Sequence, residues 1–172
     1  MRTLGAVLAG GRSSRFGSDK ALAMLDGQSL LDHASAALGP HCDAVVVVGR
    51  EGGIADWPRP GMGPLGGIAG ALGHAAAHGF DQVVTAPVDC VRLPPDLRAS
   101  LGAASAFVET QPVVGLWSVD TLDALRAMLT GETDHAVRAF ARRVGARGVA
   151  VDFALPNINR AEDLARLVKD AG

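Results

Sequence analysis

Residues 4–20 read LGAVLAGGRSSRFGSDK, an apolar run that leads directly into a glycine-rich segment with three positive charges. The apolar run, residues 4–8, predicts a buried first strand. Glycines let backbone amides approach an anion closely, and nearby cations neutralise the charge of a polyphosphate. The stretch therefore predicts a phosphate-binding loop at the end of the first strand, with Arg15 and Lys20 as cations that face the phosphates.

The spacing of the glycines separates this loop from two common nucleotide-binding motifs. A Walker A loop carries its lysine directly after its second glycine, and a dinucleotide turn follows the pattern Gly-x-Gly-x-x-Gly. Here five residues separate Gly11 from Gly17, and two more precede Lys20, so neither pattern is met. The alternative interpretation is an ordinary glycine turn with solvated loop charges. Carboxylates at neighbouring strand ends favour the phosphate-binding interpretation.

Strand-like and helix-like segments alternate along the chain, which is typical of an α/β fold with a mainly parallel sheet. The predicted strands cover residues 4–8, 44–48, 82–86, 104–109, 113–117 and 148–153. The predicted helices cover residues 28–38, 65–78, a short segment after Pro94-Pro95, 121–129, 135–144 and 160–169. The β-branched run 44–48 predicts a strand buried on both faces. We expect residues 1–172 to form one domain.

Composition limits the classes of function. Hydrophobic residues make up 48% of the chain, yet no apolar run approaches the length of a membrane span, and Met1-Arg2-Thr3 leads directly into a strand. We therefore expect neither a membrane segment nor a signal peptide. The formal charge of −2 gives no support to nucleic-acid binding. Two cysteines, Cys42 and Cys90, are too few for a disulfide scaffold, and a reducing cytoplasm is the simplest setting.

Two acidic residues fall where the predicted fold would place a ligand. In open α/β sheets, ligands bind outside the carboxyl ends of the strands. Asp89 closely follows the predicted strand 82–86, and Asp56 lies in the loop before the helix 65–78. Magnesium takes oxygen ligands, typically one or two carboxylates together with substrate phosphates. The pattern favours metal-assisted nucleotide chemistry, although Asp89 could instead cap a helix near Pro94 and Asp56 could be an ordinary loop acid.

A series of motifs runs along the chain at residues 8–20, 26–33, 63–68 (GPLGGI), 87–89 (PVD), 111–117 (QPVVGLW), 157–159 (NIN) and 162–164 (EDL). In content and order this series resembles the molybdenum cofactor guanylyltransferases, a branch of the MobA-like NTP transferases. Asp56 lies seven residues before Gly63, where the family carries a nucleotide-contacting Asp. Three positions depart from the family pattern: Gly49 stands for the Asn of Asn-Arg, Val91 for Pro and Gln111 for His.

The resemblance implies transfer of GMP from GTP to the molybdopterin cofactor, with release of pyrophosphate. It also implies a three-layer α/β/α architecture with a mainly parallel twisted sheet, the Rossmann-like type of nucleotide-diphospho-sugar transferases. The implied nucleotide-binding residues are Leu8, Ala9, Gly10, Gly11, Lys20, Asp56 and Asp89. The implied catalytic residues are Arg15, Lys20 and Asp89, and Asp89 would also bind magnesium, or manganese in its place. Asn157 and Asn159 are candidate cofactor contacts, although Asn159 is also a good helix N-cap.

Other functions remain open on the sequence alone. The nearest enzyme alternatives are a cytidylyltransferase of the same pathway and a relative that acts on a sugar phosphate. A different class is a non-catalytic adaptor that holds a nucleotide or the cofactor. The resemblance further implies transient contacts with molybdenum-insertion proteins and molybdoenzymes. Because Gly49 has no side chain, a side-chain contact from this position to the base is lost.

Overall fold

The computed structural model describes residues 1–11, 19–131, 134–151, 158, 162–163 and 166. The strands in these ranges are β1 (Thr3–Leu8), β2 (Met24–Leu25), β3 (Gln28–Ser29), β4 (Ala44–Val48), β5 (Gln82–Pro87), β6 (Ala106–Val108), β7 (Gln111–Ser118) and β8 (Arg147–Val149). The α-helices are α1 (Leu30–Leu38), α2 (Gly63–Ala77), α3 (Leu97–Leu101), α4 (Leu122–Gly131) and α5 (Val137–Arg143).

Six of these strands form one sheet in the order β4-β1-β5-β7-β6-β8. Strand β1 pairs in parallel with β4 on one side and with β5 on the other. Leu8 lies opposite both Val48 and Pro87, so the carboxyl ends of the three strands meet at one edge. Strand β7 pairs antiparallel with β5 and β6, and β8 pairs in parallel with β6. The mainly parallel sheet of the prediction is confirmed.

Helices cover both faces of the sheet. Leu4, Ala6 and Leu8 of β1 pack in a core with the apolar sides of α2, α4 and α5. Val7, which points to the opposite face, packs in a second core with α1 and α3. This alternation along β1 is the expected period of a strand buried on two sides. The three-layer α/β/α prediction is confirmed.

The bounds of some elements differ from the sequence prediction. Helix α1 begins at Leu30, two residues later than predicted, because Ser29 and Asp32 form a reciprocal capping box and Gln28 pairs with Leu25 in a short hairpin. Strand β4 lies at the edge of the sheet and is only partly buried, so the prediction of burial on both faces was wrong.

The later elements also differ in their bounds. Helix α5 begins at Val137, two residues later than predicted, and Asp134 accepts a hydrogen bond from the backbone N–H of Ala136. Strand β8 covers Arg147–Val149, and most of the predicted helix 160–169 lies outside the described residues. None of the helices in the described ranges has the length and hydropathy needed to cross a membrane.

Candidate functional site

Two adjoining pockets lie where the carboxyl ends of β1, β4 and β5 meet. The first, of about 220 Å³, is lined by Leu8, Ala9, Gly10, Gly11, Asp19, Lys20, Ala21, Pro87, Val88 and Asp89. The second, of about 530 Å³, is lined by Leu8, Gly10, Gly11, Val48, Asp56, Gly61, Gly63, Pro64, Gly67, Pro87 and Val113. Because Leu8, Gly10, Gly11 and Pro87 line both, a single elongated ligand can occupy the two pockets together.

The first pocket contains an ion pair. Nζ of Lys20 lies 3.0 Å from Oδ2 of Asp89, and both side chains are largely buried. Lys20 opens a short 3-10 turn that ends at Leu22, and Asp89 follows the end of β5. The cation and the carboxylate predicted from separate motifs are therefore brought together at the edge of the sheet. The interpretation of Asp89 as a helix cap was wrong, because Asp96 precedes α3 and Asp89 does not.

The second oxygen of Asp89 is the more informative atom. Oδ1 is buried and has no hydrogen-bond partner within the described residues. A buried carboxylate oxygen without a partner costs free energy unless a cation or donor meets it. The described residues hold no group of three or more His, Cys, Asp or Glu side chains that could bind a metal ion by themselves. Asp89 lines the first pocket, and a single carboxylate there suits magnesium, which completes its coordination shell with water and phosphate oxygens.

The backbone after β1 approaches the backbone after β4 very closely. A Cβ on Gly49 would lie 2.6 Å from Cα of Gly10, and Gly49 adopts a φ of +84°. Ala9 also donates a backbone hydrogen bond of 2.9 Å to the carbonyl of Val48. This packing accounts for glycine at position 49 in this chain. It also means that residue 49 offers no side chain to a bound nucleotide.

Asp56 lies in the second pocket beside the start of α2. Its carboxylate is half-buried, and burial raises its pKa, an effect partly offset by a backbone hydrogen bond from Gly61. A Cβ on Gly10 or on Gly67 would stand 3.6 Å from an oxygen of this carboxylate. Asp56 therefore lies against the glycine turn, and both line the second pocket.

Glycines on α2 set the position of the loop that carries Asp56. Trp57 donates a backbone hydrogen bond of 3.0 Å to the carbonyl of Gly66. A Cβ on Gly70 would lie only 2.2 Å from the carbonyl oxygen of Ala55. The loop backbone thus lies directly on the helix backbone, and the absence of side chains on this face of α2 is what permits the contact.

Gly70→Ala is expected to lower the free energy of unfolding by about 1–3 kcal/mol, because the added Cβ forces the loop off the helix. Gly73→Ala is the matched control, since its Cβ would meet only the flexible end of Arg126, at 3.4 Å. In a helix interior that change is expected to be neutral or to stabilise by up to about 1 kcal/mol. Urea denaturation of both variants checks this, and equal stabilities would contradict the contact.

A second ion pair, in which Asp19 lines the first pocket and Arg50 lies beside it, was missed by the sequence reasoning. Nη1 and Nη2 of Arg50 lie 2.8 Å and 2.7 Å from the two carboxylate oxygens of Asp19. The guanidinium holds the pKa of Asp19 below its usual value. Arg50 follows the end of β4, so the rule that ligand residues follow parallel strands could have marked it as a candidate.

Two further residues, Trp117 and Cys90, have structural roles. Trp117 is fully buried and donates its indole N–H to Oγ1 of Thr85 at 3.1 Å, so it packs in the core and does not stack on a ligand. Burial raises the pKa of the Cys90 thiol to about 12, so this cysteine is no nucleophile at neutral pH. Arg15, Asn157 and Asn159, the remaining predicted site residues, lie outside the described residues.

Comparison with known proteins identifies the family. The model of the MobA-like NTP transferase domain matches residues 5–149. The molybdenum cofactor guanylyltransferase of Acidiphilium cryptum is 38% identical over 176 residues, which cover 92% of this chain and 90% of the relative. That of Cereibacter sphaeroides is 37% identical, with coverage of 99% and 100%.

Among solved structures, the fold resembles that of molybdopterin-guanine dinucleotide biosynthesis protein A from Archaeoglobus fulgidus. The TM-score is 0.77 and the identity is 23%, with 98% of each chain covered. The family match, the sequence relatives and the fold agree with one another along nearly the whole chain. This chain belongs to the MobA-like NTP transferase family.

Proposed function

We propose that this nucleotidyltransferase transfers GMP from GTP to the molybdopterin cofactor, forming the guanine dinucleotide and pyrophosphate. The observation that carries the proposal is the Lys20–Asp89 pair beside a glycine turn, in which one carboxylate oxygen has no hydrogen-bond partner in the part of the chain that the structure describes. The names of the sequence relatives support guanine as the base and the cofactor as the acceptor.

We propose that the nucleotide spans both pockets. The triphosphate would lie in the first pocket against Lys20 and the backbone of Leu8, Ala9, Gly10 and Gly11. The nucleoside would lie in the second pocket, where the Asp56 carboxylate can accept hydrogen bonds from N–H groups of the base or from ribose hydroxyls. Guanine offers such N–H groups on its Watson–Crick edge. Asn157 and Asn159 remain proposed contacts of the cofactor.

Catalysis of this reaction depends mainly on stabilising negative charge and on positioning the reacting phosphates. A phosphate oxygen of the pterin attacks the α-phosphorus of GTP, the bond from that phosphorus to the bridging oxygen breaks, and pyrophosphate leaves. Lys20, and Arg15 as proposed from sequence, would stabilise negative charge on the reacting phosphates. Magnesium bound at Asp89 would supply a further positive charge for the triphosphate. The attacking phosphate is largely ionised near pH 7, with a second pKa of about 6, so no strong protein base is required.

Wider aspects of the function are proposals as well. Protein partners that deliver the cofactor or receive the product would be molybdenum-insertion proteins and molybdoenzymes. The reducing cytoplasm is the proposed setting, in keeping with Cys42 and Cys90 as free thiols. Residues 1–172 are proposed to act as one domain.

A turnover screen with GTP, CTP and ATP tests the function. Each nucleotide is supplied with magnesium or manganese, with and without molybdopterin, while pyrophosphate release and the dinucleotide product are measured. We expect release only with GTP and only when the cofactor is present. A clear preference for CTP would overturn the guanine assignment. Tight nucleotide binding without turnover under every condition would instead indicate a non-catalytic adaptor.

A further inference from the structure

The turn that begins with Lys20 is held in place by one ion pair on each side. On the β5 side, Lys20 pairs with Asp89. On the β4 side, Asp19 pairs with Arg50 through two short hydrogen bonds. Asp19 also accepts the backbone N–H of Ala21 at 3.2 Å and so caps the 3-10 turn Lys20–Leu22. A displacement of Asp19 would therefore displace the start of the turn from which the Lys20 side chain extends.

The geometry of the Arg50–Asp19 pair is suited to hold Asp19 in a fixed position. The planar guanidinium meets a carboxylate in a two-point contact, which restrains orientation as well as distance. The Arg50 side chain is 23% exposed, whereas that of Asp19 is 45% exposed. Arg50 follows Gly49, whose backbone lies against that of Gly10. Arg50, the more buried partner, is thus fixed next to the end of β4, and it restrains the more exposed Asp19.

The charge of Asp19 also needs an explanation. This carboxylate lines the pocket proposed for the triphosphate, together with the carboxylate of Asp89. An unpaired negative charge there would repel a polyanion, because like charges a few ångströms apart repel each other. The guanidinium of Arg50 neutralises this charge and lies at the strand end without itself lining either pocket among the described residues.

We propose that Arg50 is a positioning residue for nucleotidyl transfer. Through Asp19 it fixes the turn from which Lys20 reaches the phosphates, and it cancels the negative charge that Asp19 would present to the triphosphate. The inference rests on the proposed function for the identity of the nucleotide. The two effects are separable, because position governs the rate of the bound complex and charge governs nucleotide affinity.

Four variants and one control separate these effects in the full-length chain. Arg50→Ala removes the pair, Asp19→Asn removes only the charge while its amide oxygen can still cap Ala21, and the double variant combines them. Arg50→Lys keeps the charge without the two-point contact. Arg142→Ala, at an exposed position of α5, is the matched control for loss of an arginine. The measurements are kcat, KM for GTP, equilibrium affinity for magnesium–GTP, and thermal unfolding.

Arg50→Ala is expected to lower both kcat and GTP affinity about tenfold, the size typical of a lost charged hydrogen bond. In the double variant, the affinity for magnesium–GTP should lie within about twofold of that of Asp19→Asn, while kcat should stay as low as in Arg50→Ala. Arg50→Lys should retain affinity and lose kcat. A merely structural role would lower the melting temperature and would not divide kcat from affinity in this way.

The results also distinguish failure of this inference from failure of the proposed function. If the unaltered chain binds magnesium–GTP but transfers no GMP, the proposed function fails, and the affinity cycle still tests Arg50. Arg50→Ala with kcat and affinity both within twofold of the unaltered chain would overturn the inference. So would an affinity loss in the double variant equal to the sum of the single losses, since neutralisation predicts recovery. An unaltered chain that binds no nucleotide would overturn both proposals.

Discussion

Asp89→Asn is expected to lower the rate of pyrophosphate release about a thousandfold, with the fold retained. The substitution keeps the shape of the side chain and removes the charge that Lys20 meets at 3.0 Å. It also replaces a buried carboxylate oxygen that has no hydrogen-bond partner among the described residues, on the carboxylate proposed to bind magnesium. Loss of one charge-stabilising group in an active site costs on the order of a hundred- to a thousandfold, and loss of a metal ligand lies at the upper end. Release is measured at saturating GTP and molybdopterin.

The matched control for this variant is Asp123→Asn, an exposed position in the first turn of α4. We expect unaltered turnover from the control and cooperative thermal unfolding from both variants. Raising the magnesium concentration should recover little activity in Asp89→Asn, because a neutral amide oxygen is a poor substitute for a carboxylate. Unchanged release from Asp89→Asn would remove Asp89 from the mechanism.

Lys20→Met is expected to lower kcat about a hundredfold or more and to weaken GTP binding. Methionine preserves much of the apolar stem, so the change isolates the ammonium group that lines the first pocket. That ammonium is suited to stabilise charge that develops on the phosphates, and such an interaction is stronger in the transition state than in the bound substrate. The effect on kcat should therefore exceed the effect on KM. Steady-state kinetics over a range of GTP concentrations measures both.

Lys20→Arg and Arg142→Met complete the comparison. Lys20→Arg keeps the charge, but its planar group does not occupy the position of a compact ammonium, so we expect only partial recovery. Arg142→Met removes a charge from an exposed position of α5 and should leave turnover unaltered. A Lys20→Met variant that raised KM with unchanged kcat would indicate that Lys20 binds the ground state and transition state equally.

Much of the fold followed from local patterns in the sequence. The strand at 4–8 is a continuous apolar run and that at 82–86 is mainly apolar, and both lie at interior positions of the sheet as β1 and β5. Strand β4 has the same kind of composition and lies at an edge, because position within a sheet depends on pairing with distant segments. The start of α1 shifted for a similar reason, since a capping box and a two-residue pairing competed with helix propensity.

The residues of the candidate site were predictable where they follow the carboxyl ends of parallel strands, since ligands bind there in open α/β sheets. Lys20, Asp56 and Asp89 come from separate parts of the chain, and the meeting of parallel strand ends explains why all three line adjoining pockets. The pairing of Arg50 with Asp19 was not predictable, because 31 residues separate them and only the reach of a side chain brings them together. The assignment of base specificity still depends on sequence relatives, and the single-domain organisation stays a prediction.

The glycine face of α2 has a consequence for engineering. Gly66 and Gly70 let the loop rest on the helix through backbone atoms, while Trp57 and Met62 pack against the core beside them. Gly61 adopts a φ of +82°, and Asp56 accepts its backbone N–H, so both residues hold the course of the loop. Libraries intended to change the nucleobase that this enzyme accepts should therefore vary residue 56 among side chains that can accept this hydrogen bond, and should keep Gly61 and α2 unaltered.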